Sequence, residues 1–183
     1  MKVSVTLKND SVMLRSLRIA DAEEIARLLN NRRVLDNLRD MIPFPYSVED
    51  AKAFIAMATE ESNNTIFGVE HDGAFCGVIG LHGQDDVYRH SAELGYWFGE
   101  EYWGKGIATK SVQLITEYGF EVLKLKRIYS GIFSCNPASM KVLEKCGYKL
   151  EGILKSAIIK NGILYDEYRY GMTEEDCLSL KKQ

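Results

Sequence analysis

No run of apolar residues approaches the ~20 that a membrane-spanning helix needs, and Met1–Leu7 has no apolar signal region. Both absences point to a cytoplasmic chain with no membrane partner. Cysteine is sparse: Cys76, Cys135, Cys146 and Cys177 lie far apart with no Cys-x-x-Cys pair, and read as reduced, mostly structural thiols. His71, His82 and His90 lack the paired spacing of a metal site, so no metal is expected. An excess of basic charge is missing too. The formal net charge is −3, from 23 Lys and Arg against 26 Asp and Glu, which argues against a nucleic-acid partner and leaves a mildly basic substrate unrepelled. There is no internal repeat, linker or low-complexity segment.

What is there is an ordinary globular composition, 46% hydrophobic and 27% charged. The 183 residues read as one domain over 1–183, long enough to bury roughly 70% of the unfolded surface. Val12–Arg18 alternates as a strand. Asp21 stands where an N-cap would, ahead of a helix with Ala22, Ile25, Ala26 and Leu29 on one face. A short helical stretch follows over Arg32–Arg39. Pro43 and Pro45 then make Met41–Tyr46 a breaker loop, read either as locally packed or as the wall of a substrate cleft. Ser47 and Asp50 form a capping-box pattern before a helix with Ala51, Phe54, Ile55 and Ala58 on one face.

From Thr65 the period becomes strand-like. Thr65–Glu70 and Ala74–Leu81 flank Asp72-Gly73, a strong hairpin signal. Ala92–Phe98 is the next strand. A long helix runs from about Lys105 to Leu123 with Ala108, Val112, Ile115 and Val122 inward. The strand Arg127–Phe133 follows, then a helix opened by Asn136-Pro137 and closed by Gly147. Tyr148–Ile159 and Leu164–Met172 make a last hairpin around Asn161-Gly162. The class is α/β (α+β): one mixed, mostly antiparallel sheet with helices on its faces.

Between Phe98 and the long helix stands Trp103-Gly104-Lys105-Gly106-Ile107-Ala108. A Gly-x-Gly turn lets backbone approach a ligand, and the first helical turn has N–H groups without intrahelical partners. With the helix dipole this is an anion site; the same glycines also serve a merely steric turn. A dinucleotide fingerprint is rejected, because Thr109 replaces its last glycine and Leu123–Lys126 supplies no acid. A P-loop is rejected because no glycine precedes Lys110.

These residues, with Asn136-Pro137-Ala138-Ser139 and Val142-Leu143-Glu144-Lys145-x-Gly147-Tyr148, resemble the GNAT superfamily of acyl-CoA N-acyltransferases. The likeness runs from Met13 to Met172, and the second motif is similar to the RimJ/RimL-like branch that acetylates N-termini of ribosomal proteins. It implies acetyl-CoA as cosubstrate, a primary amine as acceptor, and a splayed central strand pair. Pantetheine would add along Tyr96, Trp97 and Phe98 like a short strand. Pyrophosphate would take N–H groups from Gly104, Lys105, Gly106, Ile107, Ala108 and Thr109. Asn136 and Ser139 would meet the pantetheine arm, with Asn136 also fitting an N-cap. Trp103 departs from the Arg or Gln common in the family. A homodimer is a family tendency.

Acyl transfer to an amine needs a base, an oxyanion donor and an acid for the thiolate. The resemblance puts Glu93 in the base position; its other reading is a surface carboxylate or a binder of a cationic substrate. The Phe98 N–H is the natural oxyanion donor. The tyrosine common in the family as acid falls at Leu143, so the acid role passes to Ser139, with Tyr96, Tyr129 and Tyr148 as substitutes. Asp85, Asp86, Glu93, Asp166 and Glu167 would make a negative cleft for the amine. The alternatives are a catalytically weak acyl-CoA-binding or regulatory module, and a polyamine or antibiotic acetyltransferase of the same fold.

Overall fold

The computed structural model describes residues 5–60 and 65–181. In chain order these form β1 (Thr6–Lys8), β2 (Val12–Arg15), α1 (Ala22–Leu29), α2 (Arg32–Leu35), α3 (Val48–Glu60), β3 (Ile66–His71), β4 (Ala74–Gly83), β5 (Ser91–Phe98), α4 (Ile107–Glu121), β6 (Arg127–Phe133), α5 (Pro137–Lys145), β7 (Lys149–Lys160), β8 (Ile163–Thr173) and α6 (Glu174–Leu180). The strand order is β1-β2-β3-β4-β5-β6-β8-β7. The chain divides into two compact units, Met1–Gly80 with Tyr96–Ser111, and Leu81–Gly95 with Val112–Gln183. The divide passes through β4, β5 and α4.

In the first unit β1 to β3 and the start of β4 pair antiparallel in sequence order. Asp72 and Gly73 take φ of 50° and 79°, the two left-handed residues that a twisted two-residue hairpin needs. Helix α1 buries Ala22, Ile25, Ala26, Leu28 and Leu29, the face its spacing predicts. That face joins Leu17, Val34, Tyr46, Ile55 and Phe75 in one core, each fully buried aliphatic or aromatic side chain adding ~1.5–3 kcal/mol. Ser47 and Asp50 form the expected capping box: the Asp50 N–H donates to Ser47 Oγ at 3.0 Å and the Ser47 N–H to Asp50 Oδ2 at 2.8 Å. Helix α2 stops at Leu35, short of the expected Arg39.

Asp21 does not cap α1 with its side chain. Its carboxylate takes two hydrogen bonds from the buried Arg15 guanidinium, at 2.8 Å each, and one from the Arg18 N–H at 2.7 Å. Arg15 Nε donates to Glu70 at 2.5 Å. Three mutually satisfying charges thus sit beneath the helix start, where a local reading expects a cap. Tyr46 is buried, and the Asn30 side chain holds both its N–H and its carbonyl, so the end of the breaker loop is anchored.

In the second unit β6 pairs antiparallel with β8 over Arg127–Phe133, and β8 with β7. Asn161 and Gly162 have φ of 52° and 77°, again the predicted hairpin turn. Helix α4 buries Val112 and Ile115, but Val122, expected inward, lies beyond the helix end and is 60% exposed. Gly119 is required by close packing: a Cβ there would meet Ile128 Cδ1 at 2.8 Å. Gly147 has φ of 88° and ends α5 in a Schellman arrangement, with the Tyr148 N–H on the Leu143 carbonyl and the Gly147 N–H on that of Glu144. Strand β1 and helix α6 are additions to the sequence reading. The cap of α6, Thr173 with Asp176, was present in the sequence as a capping box. The four cysteines are unbridged; burial pushes the Cys76 thiol up to about 11 and that of Cys146 up to about 12, which suits inert packing residues.

Candidate active site

The first unit holds the glycine turn. Strand β5 ends at Phe98, and the Gly99 N–H donates to the Cys76 carbonyl at 2.9 Å. Alternation along the strand therefore directs the Phe98 N–H away from β4. Tyr96 and Trp97 are half-buried and Phe98 is buried, its ring 6.0 Å from that of Tyr96. Gly77 on β4 is obligatory, because a Cβ there would lie 2.1 Å from the Trp97 carbonyl oxygen.

Gly104 and Gly106 have φ of 72° and 76°, a conformation costly for any other residue. Apart from their chain neighbours, no atom of the described residues lies within 4 Å of where their Cβ atoms would be. Local crowding therefore does not explain them; they hold a left-handed turn and leave the space above it open. The helical ladder begins with the Lys110 N–H on the Gly106 carbonyl at 3.1 Å. The N–H groups of Ile107 and Ala108 precede it, at the positive end of a 15-residue helix.

Trp103 turns back toward the strand. Its Nε1–H donates to the Phe98 carbonyl at 2.9 Å, and the Arg33 guanidinium lies 5.8 Å from its ring centre. Its side chain thus ties the turn to the end of β5. Lys105 is exposed, its Nζ 5.7 Å from the Tyr102 ring centre. Two acids, Glu100 and Glu101, stand beside this turn and would repel an anion. Arg33 and Asn31 hold the first, Arg27 the second, and Arg27 keeps the Glu101 carboxyl below its ordinary value. No local sequence signal connects these helix residues to the turn, and the sequence reading missed them.

The second unit holds Glu93, Asn136 and Ser139. Glu93 is half-buried on β5 and stands in parallel register with Tyr129 of β6. That pair is the last of the β5–β6 ladder. Beyond it the Ser130 hydroxyl donates to the Leu94 carbonyl at 2.8 Å. Asn136 caps α5: its Oδ1 accepts the Ser139 N–H at 3.2 Å, while its Nδ2 makes no hydrogen bond among the described residues. Ser139 is buried, 8% exposed, in the first turn of α5. Leu143 is wholly buried in the core. Tyr148 is buried too, its hydroxyl 2.7 Å from Thr116 Oγ1, so it is withdrawn as a substitute acid. Tyr129 lies between the guanidinium groups of Arg127 and Arg169.

The five acids expected to line one cleft do not all share a face, since Asp166 and Glu167 are consecutive on β8. Asp166 is tied to Lys155 and to the Ser156 N–H, and Lys155 holds its carboxyl below the ordinary range. Asp85 flanks a short turn in which Asp86 has φ of 54°. Glu167 lies over Gly131, where a Cβ would be 2.7 Å from its carboxyl carbon, and accepts from Arg169 Nε at 2.9 Å. Gly131 follows Tyr129 by two residues on β6, so Glu93 and Glu167 occupy the same sheet face. Among the described residues no cluster of three or more His, Cys, Asp or Glu is arranged to hold a metal ion, and no helix is long and apolar enough to cross a membrane.

The acetyltransferase (GNAT) domain family matches residues 11–149. The chain is 31% identical over 173 residues to the "Putative ribosomal N-acetyltransferase YdaF" of Bacillus subtilis, covering 92% of this chain and 94% of that protein. It is 31% identical over 158 residues to the spermidine N(1)-acetyltransferase of Escherichia coli, covering 83% and 80%. Among solved structures, the microcin C7 self-immunity acetyltransferase MccE, in complex with acetyl-CoA and AMP, superposes with a TM-score of 0.78 at 28% identity over 90% of this chain and 93% of that one. The chain belongs to the GNAT acetyltransferase family, and is an N-acetyltransferase.

Proposed function

We propose that the chain moves the acetyl group of acetyl-CoA directly to a primary amine, the N-terminal α-amine of a protein or peptide or the amine of a small molecule. The observation that carries this reading is the open space over Gly104 and Gly106 at the start of α4. The backbone from Gly104 to Thr109 receives the pyrophosphate, with Lys105 adding charge and Trp103 holding the turn. Tyr96 and Phe98 offer backbone to pantetheine on the side away from β4, with Trp97 between them turned to β4, and the Phe98 N–H serves the oxyanion. Asn136 offers its uncommitted Nδ2 to a pantetheine carbonyl. Glu93 takes the proton from the amine, whose pKa is near 10. The Ser139 hydroxyl donates to the leaving sulfur, directly or through a water.

The motif from Asn136 to Tyr148 and the name of the Bacillus relative favour the RimJ/RimL-like branch and a protein N-terminus. The shared face of Glu93 and Glu167, with the spermidine enzyme as a relative, favours a cationic amine. We place the chain in the cytoplasm as a single functional domain over 1–183. We also propose a homodimer, formed by pairing β7 with its copy. β7 is the last strand of the sheet, an antiparallel edge pairs with itself about a two-fold axis, and Leu150, Ile153, Ile159 and Leu164 are all exposed on the hairpin. Light scattering is expected to give twice the chain mass; a monomer mass at all concentrations overturns it.

The test of the activity is thiol release from acetyl-CoA with a panel of spermidine, spermine, alanyl and seryl peptides and an aminoglycoside. Glu93→Gln and Ser139→Ala are each expected to slow turnover at least tenfold, about 1.4 kcal/mol. A second reading, a coenzyme-binding module with weak catalysis, is favoured by the burial of Leu143 where the family acid would stand. Tight acetyl-CoA binding by calorimetry with no turnover of any panel amine selects it.

A further inference from the structure

Strands β4 and β5 set a histidine against the carboxylate proposed as base. The Gln84 N–H donates to the Ser91 carbonyl at 3.0 Å, just past the end of β4 and at the start of β5. Counting two residues back along β4 and two forward along β5 puts His82 directly opposite Glu93. A second observation fixes the face. A Cβ built on Gly95 would lie 3.4 Å from His82 Nε2, so the imidazole leans over the position two residues beyond Glu93, on the same side of the strand. Directly opposed residues of an antiparallel pair have Cβ atoms ~4.5–5.5 Å apart, within side-chain hydrogen-bonding reach. The row continues through Tyr129 and Gly171. Glu93 is half-buried whereas His82 is exposed to solvent.

We propose that His82 is a positioning and proton-relay residue for Glu93, passing to solvent the proton that Glu93 takes from the amine. The inference rests on Glu93 being the base. An ordinary carboxylate is a weak base toward an alkylammonium. An exposed imidazole alongside offers a stronger base and a route to solvent. In the first step R–NH3+ and Glu93–COO− become R–NH2 and Glu93–COOH. In the second, neutral His82 takes that proton, restoring Glu93–COO− and giving His82 imidazolium. In the third, the imidazolium releases the proton to water or buffer. No electron pair leaves the chain, and the amine is left neutral to attack the thioester.

Other charges bear on the titration. Arg127 lies on β6, Glu167 and Arg169 on β8, and Glu151, paired with Arg127, on β7. The connection from β4 to β5 brings Asp85, Asp86, Arg89 and His90. Arg127 and Arg169 flank Tyr129 in the same row. The pH profile therefore reports His82 only by comparison with a variant that cannot titrate there.

The experiment measures kcat and KM from about pH 5.5 to 9 with the panel amine of highest kcat/KM, for the full chain and for His82→Gln, His82→Ala and Glu93→Gln. His82→Gln is expected to lower kcat about tenfold at neutral pH and to leave KM for acetyl-CoA within about twofold. It is also expected to displace the acidic limb of the pH profile. Added imidazole restores turnover to His82→Ala. A His82→Gln enzyme with unchanged kcat and unchanged profile, beside a Glu93→Gln enzyme slowed tenfold, overturns the relay and leaves Glu93 as base. An active Glu93→Gln enzyme overturns the base assignment and the relay with it. A His82→Gln loss with an unmoved profile and no imidazole rescue assigns His82 a structural role only, and also overturns the relay.

Discussion

Helices α4 and α5 begin in opposite ways, although each follows a strand of the same sheet. At α5 the Asn136 side-chain Oδ1 folds over the first turn and accepts the Ser139 N–H, and Pro137 removes a donor that would otherwise be orphaned. At α4 two glycines occupy the approach, no side chain is available at Gly106 to cap the first turn, and beyond the chain neighbours no described residue fills the space above either glycine. A helix start that closes on itself has spent its donors. One built from left-handed glycines leaves the approach open, and of the nearby acids Glu100 is paired with Arg33 and hydrogen-bonded by Asn31 while Glu101 is paired with Arg27. The contrast separates a helix start whose first turn is capped by a side chain from one whose approach is left open, and the proposed anion site is assigned to the second.

The largest effect comes from forcing the open start to resemble an ordinary one. Gly106→Val places a β-branched side chain at a φ of 76°, where an L residue is destabilised by roughly 1–2 kcal/mol and more when branched. It also fills the space assigned to the pyrophosphate. Acetyl-CoA affinity, measured by calorimetry, is expected to fall about 100-fold, or ~2.7 kcal/mol. A variant that binds as tightly as the parent shows that the open space is not the coenzyme's. Val at the adjacent open position, Gly104, is expected to behave the same way, since it too has positive φ and no neighbour.

Much of this contrast was legible in the sequence, because turn chemistry is local. Gly104, Gly106, Gly147, Asp72-Gly73 and Asn161-Gly162 all take the positive φ that their context predicts, and Asn136-Pro137 opens a helix as such a pair should. What was illegible depends on partners distant in the chain. Asp21 has the look of a cap until Arg15 and Glu70 arrive from neighbouring strands. Nothing near Trp103 announces that its indole answers the Phe98 carbonyl or that Arg33 lies against its ring. The acids beyond β4 looked like one cleft because composition carries no register; Asp166 faces Lys155 whereas Glu167 faces Gly131. His82 carries no local signal for the same reason. Its meaning lies in the strand it opposes, not in its neighbours.

The closed start can be divided by two substitutions at one residue. Asn136 does two things: its Oδ1 caps α5, and its Nδ2 is uncommitted among the described residues. Asn136→Ser keeps a cap of similar strength and removes the amide donor, while Asn136→Ala removes both. Thermal or urea unfolding is expected to show a loss of ~1 kcal/mol for the alanine variant and only a few tenths for serine. Acetyl-CoA affinity is expected to fall for both by the worth of one hydrogen bond, ~0.5–1.5 kcal/mol, or roughly 2- to 12-fold. The two readouts must therefore diverge for serine: stability retained, affinity reduced. If serine instead keeps full affinity, the amide makes no contact with the coenzyme, and α5 begins as it does for the helix alone. If stability and affinity fall together for serine as for alanine, any affinity loss is a consequence of fraying at Ser139. In that case the proposed contact between the Asn136 amide and pantetheine is withdrawn, while the glycine turn of α4 stands on its own measurement.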